Sequence, residues 1–415
     1  MKTHFTLLLS LFYCLSTHAQ PRLQDTAEYN NIRQIVETVK TEYAPDKRTA
    51  LFELQPVDGG SSTRYEVITT EPEAIPSFRQ QLADHGIAET KITINLLPNS
   101  SVGERVSGVV NLSVANLRVS PSHQAELATQ VLLGTTVDLL QEQQGYYRVR
   151  TPEGYIAWVT TSSVTPMTAT ALAQWKSAEK VIVSADFGHT YTEPDRQSAR
   201  ISDLVMGDLL MALGKSGDYY QVQYPDGRRA YVDHELVRPF DEWLGTREAT
   251  AENILAAAKT MMGVPYLWGG TSVKGVDCSG FTKTAYLMNG VIIPRDASQQ
   301  VLAGAPIDIL SAGKFDPDKA VRNLKPADLL FFAAGKGRTP DARITHVALY
   351  LGNGEYIHSA GSVHINSMLP DAPNYNDFGP RTLVSARRYI GQTDPSLQTV
   401  ASNPFYQSNA NKNQQ

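Results

Sequence analysis

The sequence predicts an α+β multidomain protein: a small N-terminal α+β region, two small β-barrels, and a C-terminal domain in which a helix packs on an antiparallel sheet. The chain of 415 residues is too long for one hydrophobic core, so we expect about two to four domains. Residues 131–164 and 204–237 align as an internal repeat at one fixed offset, which predicts the two barrels. Cys278 lies between a glycine-rich turn and an amphipathic run, and strand-like segments follow it. A helix followed by several strands predicts that the C-terminal domain packs this helix on an antiparallel sheet.

Composition and charge exclude several classes of protein. The chain is 42% hydrophobic and 19% charged, with a formal net charge of −5. This weak acidity gives no reason to expect a nucleic-acid partner. No internal apolar run reaches the ~18 residues needed to span a bilayer, so we expect no stable membrane span. We expect the protein to be a monomer without a cofactor.

Residues 1–19 have the features of a signal peptide. Lys2 precedes an apolar stretch, and small residues up to Ala19 suit cleavage after that position. We therefore expect export, either to the periplasm or out of the cell. Lipid anchoring at Cys14 is the alternative, but two bulky aromatic residues precede this cysteine where a lipoprotein signal has small ones.

Removal of that segment leaves Cys278 as the one cysteine of the exported chain. A single cysteine excludes a disulfide framework, and no second cysteine or close histidine spacing supports a metal site. The thiol is therefore either buried and inert or kept for chemistry. If the amphipathic run is a helix, Cys278 is at its N-terminus, where the helix dipole favours a thiolate. We expect a depressed pKa at this position.

The N-terminal region, residues 20–105, carries no recognisable chemistry. Helical periodicity covers Asn30 to Tyr43, and a second helical run covers Pro72 to His85. Two strand-like runs, 49–54 and 64–70, lie between them. These patterns predict a small α+β fold with a packing or spacing role.

The repeat predicts barrels at residues 106–166 and 180–240, joined by a helical linker at 167–179. Both copies have short alternating strands and a Pro-(Glu/Asp)-Gly turn. The first copy resembles a bacterial SH3-like domain in its Asn116-Leu117-Arg118 motif and the later glycines and aromatics. The second resembles it less, with Phe187-Gly188-His189 at the motif. The resemblance implies cell-wall association, and a purely structural role for each copy stays open.

The C-terminal domain is predicted at residues 249–393. An apolar-faced helix follows Thr250, its expected N-cap, and the helix of Cys278 comes next. Strand-like runs then extend from Asp328 onward. The tail, residues 394–415, is rich in Asn, Gln and Ser, which predicts disorder.

A cysteine nucleophile needs a base and a group that orients the base. His346 and His358 lie on two strand-like runs that are separated by Gly352-Asn353-Gly354, which predicts a hairpin. A plain two-residue loop would send the two histidines to opposite faces of the sheet. A three-residue loop or a bulge would pair Ala348 with His358 and put both histidines on one face. A triad with Cys278 therefore requires a loop with an odd number of residues, or a bulge.

Four sequence blocks resemble the signature of NlpC/P60 cysteine peptidases. They are GVPYLWGG at 263–270, DCSGF at 277–281, HVALY at 346–350 and YIH at 356–358. The resemblance implies a papain-like fold, with Cys278 as nucleophile, His346 as base and His358 as the orienting residue. A small departure from the family pattern, Ala327 where a glycine is usual, touches none of these roles.

Two SH3-like domains before such a domain resemble the γ-D-glutamyl-L-diamino acid endopeptidases of the dipeptidyl-peptidase VI type. The resemblance implies cleavage of murein peptides between γ-D-Glu and the diamino acid, with a free N-terminal L-Ala. It also implies that the first SH3-like domain closes one end of the cleft. Asp277, Ser279 and Ser298 match positions that contact substrate in that group, and Glu126 and Tyr155 are the candidates from the SH3-like domain. For Asp277 a plain helix cap, and for Glu126 a solvated surface residue, are the alternatives.

Two other functions remain open from the sequence. The same fold could act as an amidase or acyltransferase on another amide bond, or the protein could be a non-catalytic wall-binding protein. An intact Cys/His/His set argues against the second. The sequence does not distinguish diaminopimelate from lysine as the diamino acid.

Overall fold

A computed structural model describes residues 27–57 and 64–407. The predicted signal peptide and the alternative anchor at Cys14 lie outside these residues. The chain divides into two compact units between Leu96 and Leu97. Across the described ranges, no helix is both long enough and apolar enough to cross a membrane.

The first unit is a three-stranded sheet with two helices. Its elements are α1 (Ala27–Tyr43), β1 (Phe52–Pro56), β2 (Tyr65–Thr69), α2 (Ala74–Asp84) and β3 (Ile92–Leu96). Strand β2 is central, antiparallel to β1 and parallel to β3, with α2 in the crossover. The apolar faces of α1 and α2 and of the sheet share one core, in which Ile32, Phe52 and Phe78 are buried. The predicted α+β fold is confirmed.

The N-terminal unit is shorter than the sequence predicted, because it ends at Leu96 and not at residue 105. Residues 97–105 are bonded to the following barrel. The amide of Asn99 donates to the carbonyl of Leu140 at 3.0 Å, and the amide of Glu142 donates to the Ser101 hydroxyl at 2.7 Å. These bonds involve an irregular segment, and hydrophobic periodicity carries no signal for them.

The first barrel is a seven-stranded sheet in the order β10-β4-β7-β8-β9-β5-β6. Its strands are β4 (Ser107–Val110), β5 (Val114–Arg118), β6 (Leu127–Leu132), β7 (Thr136–Gln143), β8 (Tyr146–Arg150), β9 (Ile156–Thr160) and β10 (Val164–Met167). Alternate side chains such as Leu117, Leu139 and Val149 fill its core. Helix α3 (Ala169–Ser177) follows, with the Thr168 hydroxyl as its N-cap.

The second barrel has the order β13-β12-β16-β15-β14-β11-β17. Its strands are β11 (Lys180–Val183), β12 (Phe187–Tyr191), β13 (Arg200–Val205), β14 (Leu209–Ser216), β15 (Tyr219–Gln223), β16 (Arg229–Asp233) and β17 (Val237–Pro239), and α4 (Phe240–Gly245) follows. The amide of Leu209 donates to the carbonyl of Leu133 at 3.0 Å, so the barrels are bonded directly. Gly134 has φ +79°, and a Cβ there would collide with the Leu209 backbone. Gly207, its counterpart in the repeat, has φ +95°.

The C-terminal domain begins with α5 (Ala251–Thr260), a two-stranded ribbon and the cysteine helix. The elements up to β23 are β18 (Thr271–Ser272), β19 (Gly275–Val276), α6 (Cys278–Leu287), β20 (Val291–Ile292), α7 (Ala297–Gln300), β21 (Ala305–Pro306), β22 (Leu310–Ser311) and β23 (Lys314–Phe315). The rest are α8 (Pro317–Asn323), β24 (Leu329–Ala334), β25 (Ile344–Gly352), β26 (Glu355–Ala360), β27 (Ser362–Ser367), β28 (Arg381–Arg388) and β29 (Gln398–Thr399).

An antiparallel sheet in the order β21-β28-β24-β25-β26-β27 organises this domain. Helix α6 packs on one of its faces, where Phe281 joins Val347 and Leu349 in a buried cluster. The opposite face packs against α8, in a second cluster that includes Ala348 and Tyr356. The predicted helix on an antiparallel sheet, after two SH3-like barrels, is confirmed.

The segment after residue 393 differs from the predicted disorder. Strand β29 pairs with β20, and Val400 and Asn403 are buried. The side-chain amide of Asn403 donates to the carbonyl of Pro152 in the first barrel at 3.0 Å. A polar composition predicts disorder only when too little apolar surface can be buried. Here one valine, Tyr406 and a well-placed amide fix the segment through residue 407.

Candidate active site

Cys278 is the first residue of α6, and Asp277 caps the helix. Asp277 Oδ1 accepts the backbone N–H of Gly280 at 2.7 Å, the expected bond of an Asp N-cap. Gly280 packs against the carbonyl of Gly270, where a Cβ would collide. The glycine-rich turn is thereby held against the helix end. The backbone N–H groups of Val347 and Ser279 donate to the Cys278 sulfur, which joins the start of β25 to the start of α6.

The expectation of a depressed pKa at Cys278 is wrong for this structure. Burial, and after it the neighbouring Asp277 carboxylate, raise the pKa of Cys278 to about 12. The thiol is 7% exposed, so a thiolate would lose most of its hydration. The two amide donors and the helix dipole act in the opposite direction and are outweighed. Cys278 is therefore a neutral thiol at neutral pH.

The hairpin that carries the two histidines meets the condition for a triad through a bulge, while its turn has two residues. Leu349 pairs with Ile357 and Tyr350 with Tyr356, and the register then shifts at Leu351 before the turn. The turn has positive φ at Asn353 (51°) and Gly354 (80°), as in a two-residue type I′ hairpin. The bulge adds the residue that such a turn lacks.

Because of this bulge, His346 and His358 lie on the same face of the sheet. His346 Nε2 is 2.8 Å from His358 Nδ1, a hydrogen-bond distance. Both side chains are buried, at 3% and 5% exposure. Burial lowers the pKa of His358 to about 4, and burial and the neighbouring His358 hold the pKa of His346 well below its usual value. Both imidazoles are neutral at neutral pH.

Two residues of β27 fix the protons on this pair. His358 Nε2 lies 3.0 Å from Asn366 Oδ1 and 3.2 Å from His364 Nε2. The Asn366 oxygen is an acceptor, because the amide nitrogen of that side chain points to the carbonyl of Asn374. His364 Nε2 is also an acceptor, because its Nδ1 lies 2.8 Å from the carbonyl of Ser362 and must donate there.

The order of protons follows from these two acceptors. His358 Nε2 must carry a hydrogen, so neutral His358 has its lone pair on Nδ1. His346 Nε2 then donates to that lone pair, and the lone pair of His346 is left on Nδ1. This tautomer can take a proton from a thiol. Among the described residues no hydrogen bond joins His346 to the Cys278 sulfur, so the resting pair is a neutral thiol and a neutral base.

Asp277 forms a buried ion pair with Arg295. The guanidinium of Arg295, with 0% side-chain exposure, donates to both carboxylate oxygens, at 3.1 Å to Oδ1 and 2.7 Å to Oδ2. The hydroxyls of Ser279 and Thr129 bind the same guanidinium. Burial disfavours the charge of Arg295, but Asp277 outweighs this effect and raises the pKa of the guanidinium. The amide of Gly269 also donates to Asp277.

These contacts give Asp277 a structural role. Each oxygen of its carboxylate accepts at least two donors, and a buried cation balances its charge. It serves as helix cap and as partner of Arg295, and its contact with a substrate ammonium stays a prediction. Ser279 belongs to the same network, because its hydroxyl donates to Asp277 at 3.2 Å.

Both residues predicted from the first barrel contact the catalytic domain. The Tyr155 hydroxyl donates to Asp296 Oδ2 at 3.3 Å, and Glu126 Oε1 accepts the indole N–H of Trp268 at 2.7 Å. Asp296 caps α7, the helix that contains Ser298. The barrel surface that carries Glu126 and Tyr155, called here the barrel wall, thus borders the segment next to the cysteine helix.

Sequence reasoning missed the partners of the site residues. No sequence pattern singled out Arg295, His364 or Asn366. The alternate positions of His364 and Asn366 on a strand next to His358 are the one signal that could have indicated them. A buried arginine in a loop has no comparable pattern.

Comparisons with known proteins agree with this architecture. The NlpC/P60 family pattern matches residues 263–381, the bacterial dipeptidyl-peptidase Sh3 domain matches 117–164, and a bacterial SH3 domain matches 191–238. Dipeptidyl-peptidase 6 of Lysinibacillus sphaericus is 30% identical over 279 residues, which cover 65% of this chain and 94% of that protein. Gamma-D-glutamyl-L-lysine dipeptidyl-peptidase of Bacillus subtilis (strain 168) is 31% identical over 246 residues, covering 56% of this chain and 72% of that protein.

A solved structure shows the same fold. An NlpC/P60 family protein from Bacillus cereus ATCC 10987 superposes with a TM-score of 0.57 at 24% identity, covering 68% of this chain and 99% of that one. At this identity the likeness concerns the fold alone. Family match, domain order and relatives agree, and the chain belongs to the NlpC/P60 family of cysteine peptidases, with two bacterial SH3 domains before its catalytic domain.

Proposed function

We propose that this enzyme is an exported peptidoglycan endopeptidase that cleaves murein peptides between γ-D-Glu and the L-diamino acid. Cys278, His346 and His358 form its catalytic triad, and the substrate carries a free N-terminal L-Ala. The relatives named gamma-D-glutamyl-L-lysine dipeptidyl-peptidase support the bond that is cleaved. The observation that carries the proposal is the histidine pair. Its hydrogen bonds leave the lone pair of His346 on Nδ1, and the next residue of β25, Val347, contacts the Cys278 sulfur.

The reaction follows from these positions. His346 Nδ1 removes the proton of the Cys278 thiol as the sulfur attacks the γ-carbonyl carbon of D-Glu. Because burial disfavours both a thiolate and an imidazolium here, the charged pair forms only during the attack. The backbone N–H of Cys278, the first residue of α6, has no intrahelical acceptor and can bind the developing oxyanion.

The imidazolium of His346 then returns its proton to the departing amine of the diamino acid. This leaves a thioester between Cys278 and the L-Ala-γ-D-Glu dipeptide. Water, deprotonated by His346, hydrolyses the thioester and restores the thiol. His358 accepts the hydrogen bond of His346 throughout, and so it stabilises the imidazolium and fixes the orientation of the ring.

The barrel wall accounts for the requirement for a free amine. A substrate ammonium next to the wall needs an acceptor, since an unpaired buried charge costs several kcal/mol. Glu126 bonds to the Trp268 indole, which is neutral, and within the described chain no cation pairs with it. Its negative charge is therefore available to the ammonium. The Tyr155 hydroxyl and Asp296 add polar groups at the same border, and Ser298 follows Asp296 in the first turn of α7.

The test is hydrolysis of L-Ala-γ-D-Glu-L-Lys and of the meso-diaminopimelate analogue, with the amine free or acetylated. Mass spectrometry should detect the L-Ala-γ-D-Glu dipeptide from the free-amine peptides and little product from the acetylated ones. Cys278→Ala should give no product, and persistent hydrolysis would refute the nucleophile. Equal rates on free and acetylated peptides would refute the requirement for a free amine and a cleft that the first barrel closes at one end.

The role of Glu126 is tested with the same peptides. Glu126→Gln keeps the shape and the acceptor for Trp268 but removes the charge. We expect kcat/KM for the free-amine peptide to fall by about tenfold or more, which corresponds to ~1.4 kcal/mol. Glu142→Gln, on an exposed strand end of the same barrel, is the control and should leave kcat/KM unchanged. An unchanged rate in Glu126→Gln would refute this role.

A further inference from the structure

A cavity of about 220 Å³ lies beside the two catalytic histidines and has no assigned role. Its lining comes entirely from the catalytic domain, whereas the barrel wall borders the segment around Asp277 and Asp296. Two phenylalanines and a tyrosine contribute to its walls, and the other polar groups are three histidines, an asparagine and one arginine. The residues that matter here are Phe332, Phe378, His346, His358, His364 and Arg381.

Arg381 is the one residue of this lining with a permanent charge. Its side chain is partly buried, and within the described residues neither a hydrogen bond nor an ion pair of its guanidinium is found. The acidic neighbour in the adjoining loop, Asp377, is paired with Lys336 at 3.1 Å. A partly desolvated guanidinium without an anion is unfavourable, and its planar fork suits a carboxylate.

The positive charge of Arg381 also opposes protonation of His346 during the reaction, unless an anion binds to Arg381. Its charge contributes to the lowered pKa values of His346, after burial and His358, and of His358, after burial and His364. His346 must become an imidazolium during the reaction, and an unbalanced cation nearby disfavours that form. A carboxylate on Arg381 would offset this effect. The substrate itself can supply that carboxylate.

We propose that this cavity binds a carboxylate of the departing diamino acid, and that Arg381 is its ligand. The inference rests on the proposed function and names the part of the substrate beyond the cleaved bond. The departing nitrogen must approach His346 to receive its proton, so the attached Cα and its carboxylate are carried toward the cavity that His346 lines. Lysine offers only its α-carboxylate, whereas meso-diaminopimelate offers a second carboxylate at its far end.

The experiment compares kcat/KM for L-Ala-γ-D-Glu-L-Lys as the free acid and as the C-terminal carboxamide. The wild-type enzyme should favour the acid by about tenfold or more. Arg381→Gln should cleave both peptides at the rate that the wild type shows on the carboxamide, within about twofold. Arg322→Gln, which removes an exposed charge on α8 away from the cavity, should keep the wild-type preference.

A third peptide distinguishes the two possible carboxylates. The meso-diaminopimelate analogue with its α-carboxyl amidated keeps only the far carboxylate. Cleavage at the acid-like rate, lost in Arg381→Gln, shows that the far carboxylate can also occupy the cavity, and cleavage at the carboxamide-like rate restricts the cavity to the α-carboxylate. Either result supports the carboxylate site, provided that the wild type prefers an acid form.

Cleavage of acid and carboxamide at equal rates by the wild type would overturn the inference and leave the proposed function intact. This comparison needs no variant, so it holds even if Arg381→Gln folds poorly. An unchanged acid preference in a folded Arg381→Gln would also overturn it. Failure of the wild type to cleave any of the peptides would overturn the proposed function and the inference with it.

Discussion

Replacing Asp277 by asparagine should strongly destabilise the catalytic domain. Asparagine is a good N-cap, so the bond to the Gly280 amide can persist. The change removes the negative charge that balances Arg295, whose side chain is fully buried. Breaking a buried ion pair by removing one partner costs about 3–5 kcal/mol, because the remaining charge is uncompensated.

The remaining contacts of Arg295 do not replace the carboxylate. Thr129 and Ser279 offer neutral hydroxyl oxygens, at 2.7 and 2.9 Å, which satisfy individual N–H groups but not the charge. The Asp296 carboxylate lies 3.9 Å from the guanidinium and compensates the charge only in part. We therefore expect a cost near the lower end of about 3–5 kcal/mol in Asp277→Asn. Removing both partners, in Asp277→Asn with Arg295→Met, should recover at least half of the loss.

Urea unfolding followed by tryptophan fluorescence measures these free energies. The control is Asp377→Asn, which breaks the exposed pair with Lys336 and should cost less than about 1 kcal/mol. A loss below about 1 kcal/mol in Asp277→Asn would refute the structural role. If the variant also showed a selective loss on free-amine peptides, Asp277 would be a substrate ligand after all.

Four further outcomes are expected. Cys278 should react slowly with thiol reagents near pH 7 and faster above pH 9, because burial raises its pKa to about 12; fast labelling at pH 6 would contradict this. His346→Ala should lose nearly all turnover and His358→Gln less, and wild-type turnover in His346→Ala would rule out the triad. Removing both acceptors, in Asn366→Leu with His364→Phe, should lower kcat by about tenfold or more with little change in KM; unchanged kcat would contradict the proton order. The pKa of His358, about 4 when folded and near 6.5 when unfolded, means that the unfolded chain binds the proton first as pH falls. Stability should therefore decrease between about pH 6.5 and pH 4, by up to ~1.4 kcal/mol per pH unit for this residue, and the slope should be shallower in His358→Gln.

The fold was largely predictable because its signals are local. The repeat placed two barrels, and the run after Cys278 placed a helix that the structure begins at that residue. Side-chain alternation showed that the hairpin needs one extra residue if both histidines are to lie on one face, and the bulge at Leu351 supplies that residue. Periodicity and turn chemistry act within a few residues, so sequence alone can show them.

The electrostatics of the site were not predictable in the same way. The pKa of Cys278 depends on how deeply the thiol is buried, and the N-terminal position alone suggested the opposite direction. Arg295 binds Asp277, 18 residues earlier in the same domain, and Thr129 in the first barrel. Arg381 lines the cavity beside His346 although the two are far apart in sequence. Such pairings form only when the chain is packed, and no periodic pattern encodes them.

The bulge at Leu351 has a consequence for how single-codon deletions affect this enzyme. The two histidines are 12 positions apart, and the extra residue at the bulge lies between Tyr350 and the turn. Loss of Leu351 would leave a regular two-residue hairpin with the same partners, and both imidazoles would stay on one face. Loss of a residue between His346 and Tyr350 would move His346 to the other face. A gene search that fixes the His-to-His distance at one value would therefore discard relatives whose hairpins are equally competent.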